Sequence, residues 1–134
     1  MDGAQIVLSL ERAAAVCDDL TPHVYARLFA EHPELEQLFR REAHDQARGE
    51  MLARALEAIL DCATDDVYGA NLVASEAANH EGYEVARETF VRFFAAIQAT
   101  LRDLLAAEWT DDMDAAWAGM LRRFSALSAP EGER

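Results

Sequence analysis

The sequence predicts an all-α chain. Apolar residues recur at helical spacing nearly throughout. Gly and Pro are scarce, six and three in 134 residues, and no apolar–polar alternation of the kind that marks a half-buried strand stands out. The helical segments number six or seven and differ in length, which speaks against an even four-helix bundle. Periodicity alone goes no further than all-α.

The elements follow in order. Ile6, Val7, Leu10, Ala13, Ala14 and Cys17 mark a first stripe, interrupted by Ser9, Glu11 and Arg12. Thr21-Pro22 reads as a helix start, a capping hydroxyl and then a proline whose missing N–H costs nothing there. Val24, Leu28 and Phe29 continue it, until His32-Pro33 ends it because the residue before proline avoids the helical region. A short turn runs to Phe39. Residues 40–48 are polar and read as a loop entering a helix striped by Met51, Leu52, Ala55, Leu56, Ile59 and Leu60. Thr64-Asp65-Asp66 reads as a restart reaching about His80, and Gly82 interrupts. Val85, Phe90, Phe93, Phe94, Ile97, Leu101 and Leu104 form a long apolar face. Thr110 with Asp111 and Asp112 starts the last helix, a cap followed by acids at the positive end of the dipole. It carries Met113, Trp117, Met120, Leu121 and Phe124. The reading is one domain over residues 1–134 with a polar tail over about 128–134.

Composition excludes several classes. Net charge is −13, from 25 acids against 12 basic residues, all of them Arg. So negative a chain is a poor partner for nucleic acid or an anionic membrane. No apolar run approaches the ~20 residues of a membrane span, and the first helix does not read as a signal peptide. A soluble, cytoplasmic protein is expected. Cys17 and Cys62, 45 positions apart among apolar neighbours, read as buried thiols, and no Cys–His pair has zinc-site spacing. Gly-rich phosphate loops and the G-x-S-x-G elbow are absent.

The stretch Tyr25-Ala-Arg-Leu28-Phe29-Ala-Glu-His32-Pro33-Glu34-Leu35-Glu-Gln-Leu38-Phe39 resembles the start of a single-domain bacterial haemoglobin, or of the globin module of flavohaemoglobins. Trp109-Thr110-Asp111-Asp112 and Ala116-Trp117 are similar to the start of that family's last helix. The resemblance covers roughly residues 6–127. It implies a globin fold, six to seven helices around a haem pocket, holding haem b and taking O2, CO or NO as ligand.

The resemblance also implies roles. Its proximal histidine corresponds to His80, 41 positions after Phe39 and 10 before Phe90; His23, His32 and His44 do not fit. Haem iron takes one axial ligand from the protein and leaves a face for gas. The second ring nitrogen of His80 would donate to the Glu76 carbonyl one turn back. Phe39 would stack on the porphyrin. Tyr25 would donate to bound oxygen, whose partial negative charge favours O2 over CO beside a donor; as an ordinary core residue it would send its hydroxyl to solvent. In the distal helix, Arg48 followed one turn later by Leu52 fits the family's polar–apolar pair, where Gly49 with Ala53, or His44 with Arg48, does not. Arg48 has three readings: pairing with a haem propionate, folding in as a second donor, or a solvated surface cation.

Two departures from the family stand out. Phe90 occupies the place of a Tyr that, with a Glu, supports the proximal histidine in flavohaemoglobins, and Glu131 and Glu133 in the polar tail do not replace that Glu. A weaker push of electron density to iron follows, which argues against peroxidase-like or strong NO-dioxygenase activity. Glu76 also stands where the family is usually apolar. The readings are then an oxygen carrier or scavenger, or an NO-detoxifying globin needing an external reductase, as monomer or homodimer. The alternatives are a haem-based sensor signalling through a partner and a globin-fold interaction domain without haem, with a bilin-binding relative remote.

Overall fold

A computed structural model of the chain describes residues 2–37, 45–64, 73 and 87–128. They include five α-helices, α1 (Gly3–Val16), α2 (Thr21–Glu31), α3 (Asp45–Thr64), α4 (Arg87–Leu105) and α5 (Asp111–Ser128), and residues 34–37, read as a turn, are also helical. One turn of 3-10 helix, Ala106–Glu108, joins α4 to α5. Among the described residues there is no strand. The all-α reading holds, as do the unequal lengths: 14, 11, 20, 19 and 18 residues. Phe39, His44, Glu76, His80, Gly82 and residues 129–134 lie outside the described residues, and so does the restart expected at 65–80 apart from Val73, which is helical and buried.

The helix ends follow local chemistry, not always through the residue expected. Asp2 caps α1 by accepting from the Ala4 amide at 3.1 Å. Thr21 does not cap α2. It is the first helical residue, and Asp19 instead accepts from its amide at 2.9 Å. An Asp two positions back competes well for that role because its carboxylate carries full charge at the positive helix end. Pro22 sits in the first turn and His32 ends the helix, as the Pro33 rule requires. Thr110 does cap α5, its hydroxyl accepting from the Met113 amide at 3.1 Å. Thr64 is the last residue of α3, and its hydroxyl donates back to the Leu60 carbonyl at 2.9 Å. The end of α4 carries no sequence signal: Ala106 adopts φ 49°, a left-handed turn that normally falls to glycine.

Helix α4 is central, packing against α1, α2 and α5, while α1 also packs on α3 and α5, and α2 on α3. The α4–α5 seam is aromatic, with Phe94 and Phe124 edge to face at 4.7 Å between ring centres. Helix α1 approaches α3 closely because Gly3 has no side chain: a Cβ there would lie 2.0 Å from the Ala63 carbonyl oxygen. Ser9, a polar interruption in the first stripe, is fully buried. Its hydroxyl donates to the Ile6 carbonyl at 2.7 Å and accepts from the Trp117 indole N–H at 2.9 Å, joining α1 to α5. The α3 stripe is rotated from the expected one. Leu52, Ala55, Ala58, Ile59 and Cys62 are buried, and Leu60 is exposed. Cys62 is the buried thiol; Cys17 is only half-buried at the end of α1, and no disulfide joins them. No described helix is long and apolar enough to cross a membrane.

Candidate functional site

Three of the five predicted site residues are described; Tyr25 of α2 and Arg48 of α3 are in contact, and Leu52 lies one turn beyond Arg48 on α3. Tyr25 sits in the middle of α2, and Leu28 on the same helix is equally buried. Tyr25 is 3 % exposed. Its hydroxyl does not reach solvent. It donates to the main-chain carbonyl of Arg48 in the first turn of α3, at 3.1 Å. A buried phenol needs such a partner.

Phe29 follows Tyr25 by one turn, and the two rings tilt against each other with centres 5.9 Å apart. Phe93 of α4 also packs on Tyr25, with ring centres 5.5 Å apart. The phenol ring thus contacts rings on two helices. The Arg48 guanidinium lies over both α2 rings, 5.3 Å from the centre of Phe29 and 5.5 Å from that of Tyr25. A cation over the negative face of an aromatic ring is attracted to it. Arg48 is half-buried. Leu52, one turn further along α3, is buried. Burial pushes the Tyr25 phenol well above its ordinary range, and the Arg48 cation offsets this only in part. The hydroxyl is therefore a neutral donor at physiological pH.

Phe29 and Phe93 were not singled out from sequence as parts of a site. The spacing of Phe29 to Tyr25 was the available signal. Phe93 gives none beyond its place on a long apolar face. Phe90, where the flavohaemoglobin-like pattern has Tyr, is buried and packs edge to face on Phe94 at 5.2 Å. Of the histidines rejected as ligands, His23 is exposed, and His32 lies 3.8 Å from the Glu34 carboxylate at the surface. Phe39 and His80 belong to the residues not described, as does His44. Among the described residues no group of three His, Cys, Asp or Glu side chains could hold a metal ion.

Ion pairs also lie on the α2 and α4 sides of Tyr25. Arg27 on α2 pairs with Glu31 on its own helix and with Asp103 on α4. Arg92 on α4 lies 3.7 Å from Glu88 and 3.9 Å from Glu34. These pairs are exposed and contribute little singly, but Arg27–Asp103 bridges the two helices that grip Tyr25.

The chemistry of these residues suits a porphyrin. That ligand is a flat apolar ring with two carboxylates at one edge. Phe29, Phe93 and Leu52 offer apolar contact, Tyr25 a single hydroxyl donor, and Arg48 a cation suited to a carboxylate. The residues described fit haem.

Comparison with curated proteins gives no match, and comparison with solved structures gives none either. Comparison with protein families matches the globin model over residues 22–127, a span that begins inside α2 and ends inside α5. That covers most of the 134 residues, and the chain belongs to the globin family.

Proposed function

We propose that this globin binds haem b and reversibly takes a diatomic gas, with oxygen the first ligand and CO and NO its competitors. The observation that carries the reading is the contact of Tyr25 on α2 with Arg48 on α3, one turn before the buried Leu52, inside a chain of the globin family. When bound, haem supplies the iron at which such a gas coordinates.

The chain's residues divide the rest of the work. His80 is the axial ligand and Phe39 the ring that stacks on the porphyrin. Phe29, Phe93 and Leu52 keep water from the distal side, which strengthens any hydrogen bond made there. Tyr25 presents the donor, and a donor in a dry pocket favours a ligand with partial negative charge over an uncharged one. Arg48, whose guanidinium lies over the Tyr25 and Phe29 rings, would offer a cation to a haem carboxylate. With Phe90 in place of a supporting Tyr, the role proposed is carriage or scavenging of gas. Turnover of NO would need an external reductase.

The visible absorption spectrum tests this. Purified protein, as isolated, reduced, and reduced under CO, should show a strong Soret band that shifts at each step. No Soret band after adding hemin would leave the fold standing and turn the function to a haem-free interaction domain. His80→Ala should lose tight haem retention. Full occupancy with an unchanged spectrum in that variant would remove His80 as ligand.

A further inference from the structure

The Tyr25 phenol has one proton to give, and that proton points at a main-chain carbonyl rather than into open space. We propose that the Arg48 carbonyl is the resting acceptor for Tyr25, and that a gas ligand in the pocket takes the same hydrogen bond by exchange. This inference rests on the gas-binding reading above and adds to it a competitor inside the protein.

The geometry makes the exchange inexpensive. Arg48 lies in the first turn of α3, so its carbonyl also faces the Leu52 amide four residues on. A carbonyl oxygen has two lone pairs, and losing Tyr25 does not leave it orphaned. The ring packs on Phe29, with centres 5.9 Å apart, and on Phe93 at 5.5 Å. A hydroxyl rotation or small tilt is enough. The guanidinium of the same residue lies over the same rings. Main chain and side chain of Arg48 therefore both report what Tyr25 does.

The consequence is a limit on discrimination between gases. The hydrogen bond given to a ligand replaces an existing one, so only the difference between the two counts. Oxygen, with partial negative charge, out-competes a peptide carbonyl; carbon monoxide does not. Tyr25→Phe should speed oxygen release by roughly tenfold or less, because an exchanged hydrogen bond contributes only its net value. Carbon monoxide release should stay nearly unchanged.

The sequence supplies a clean reporter. Arg48-Gly49 is the only Arg-Gly step in the chain. Protein carrying carbonyl-13C arginine and 15N glycine gives one amide–carbonyl cross-peak, at Gly49, that reads the Arg48 carbonyl. In the haem-free protein, Tyr25→Phe should move that carbonyl upfield, the direction of a lost hydrogen bond. In ferrous haem-loaded wild type, oxygen should move it the same way and carbon monoxide less, and neither gas should do so in Tyr25→Phe. The oxygen against carbon monoxide comparison in wild type needs no variant. Coincident haem-free cross-peaks for wild type and Tyr25→Phe would overturn the proposal. So would an oxygen-shifted Soret band with the Arg48 carbonyl unmoved. Absence of any Soret band with hemin would instead bring down the gas-binding reading together with this one, and the spectrum separates that failure from the others.

Discussion

Two of the hydrogen-bonded polar groups in the core of the described residues are built differently. At the seam of α1 and α5, the Trp117 indole donates to Ser9, and Ser9 donates to the Ile6 carbonyl within its own helix. Both members are fully buried, and the bond between them spans two helices. Between α2 and α3, Tyr25 donates to a carbonyl that already belongs to a helix. The first pair is a closed circuit that fixes the packing of two helices. The second is held by a partner that survives its loss. A buried hydroxyl marks a functional site less by being buried than by having an acceptor it can give up.

The largest test strikes the seam. Trp117→Ala removes the largest fully buried side chain and should cost about 3–5 kcal/mol in urea unfolding of the haem-free protein. Retention of near-wild-type stability would show that the α1–α5 seam is not a structural anchor. Ser9→Ala comes next. It leaves the indole N–H without an acceptor and should cost about 1–3 kcal/mol. In a Trp117→Phe background the same substitution should cost much less, and the difference measures the coupling of the pair.

Between α2 and α3 the effects on stability are smaller. Tyr25→Phe should cost about 1 kcal/mol or less in the haem-free protein. A loss as large as that of Ser9→Ala would make the two pairs alike and erase the contrast drawn between them. The effect also depends on pH. Burial raises the Tyr25 phenol above its ordinary value of about 10. The folded state therefore favours the neutral phenol. The contribution of Tyr25 is full below that ordinary value and is lost as pH rises through the higher folded value, since unfolding then releases a proton. Between neutral pH and about pH 11, wild type should lose more stability than Tyr25→Phe, as read by urea midpoints. The smallest effect belongs to Arg48→Ala, which removes a half-buried cation from two rings and should cost about 0.5–1 kcal/mol.

The legible parts of the chain were those whose signals are local. His32-Pro33 ended α2 and Thr110 capped α5 because backbone sterics and capping chemistry act within three or four residues. The long Phe-rich face became the central helix α4 because helical spacing places its residues on one side wherever that side is buried. Arg48 was expected, from the family's polar–apolar pair with Leu52, as the distal polar residue; what the structure adds is that its guanidinium lies over the Tyr25 ring. Thr21 misled for a local reason too: the helix starts one residue earlier than a Thr21 cap requires, and the Asp19 carboxylate accepts from the Thr21 amide. Leu60 misled for another, since several rotations of α3 bury a plausible apolar stripe and only the neighbours choose among them.

The sequence by itself determined the helical class, most helix limits and the identity of the residues with unusual chemistry, because periodicity, capping and proline sterics are short-range. Only the tertiary structure decided what those residues do. Ser9 read as a polar break until Trp117, 108 positions away, turned it into a buried acceptor. Gly3 carried no signal until the backbone of Ala63 came within the reach of a Cβ. Ala106 gave no sign that it would take a left-handed turn normally left to glycine. Tyr25 had to find a partner, but that the partner would be a carbonyl on another helix follows from the packing of α2 on α3. A hydrogen bond between distant residues depends on where helices cross, and crossing is set by the fit of whole surfaces, which no short window of sequence contains.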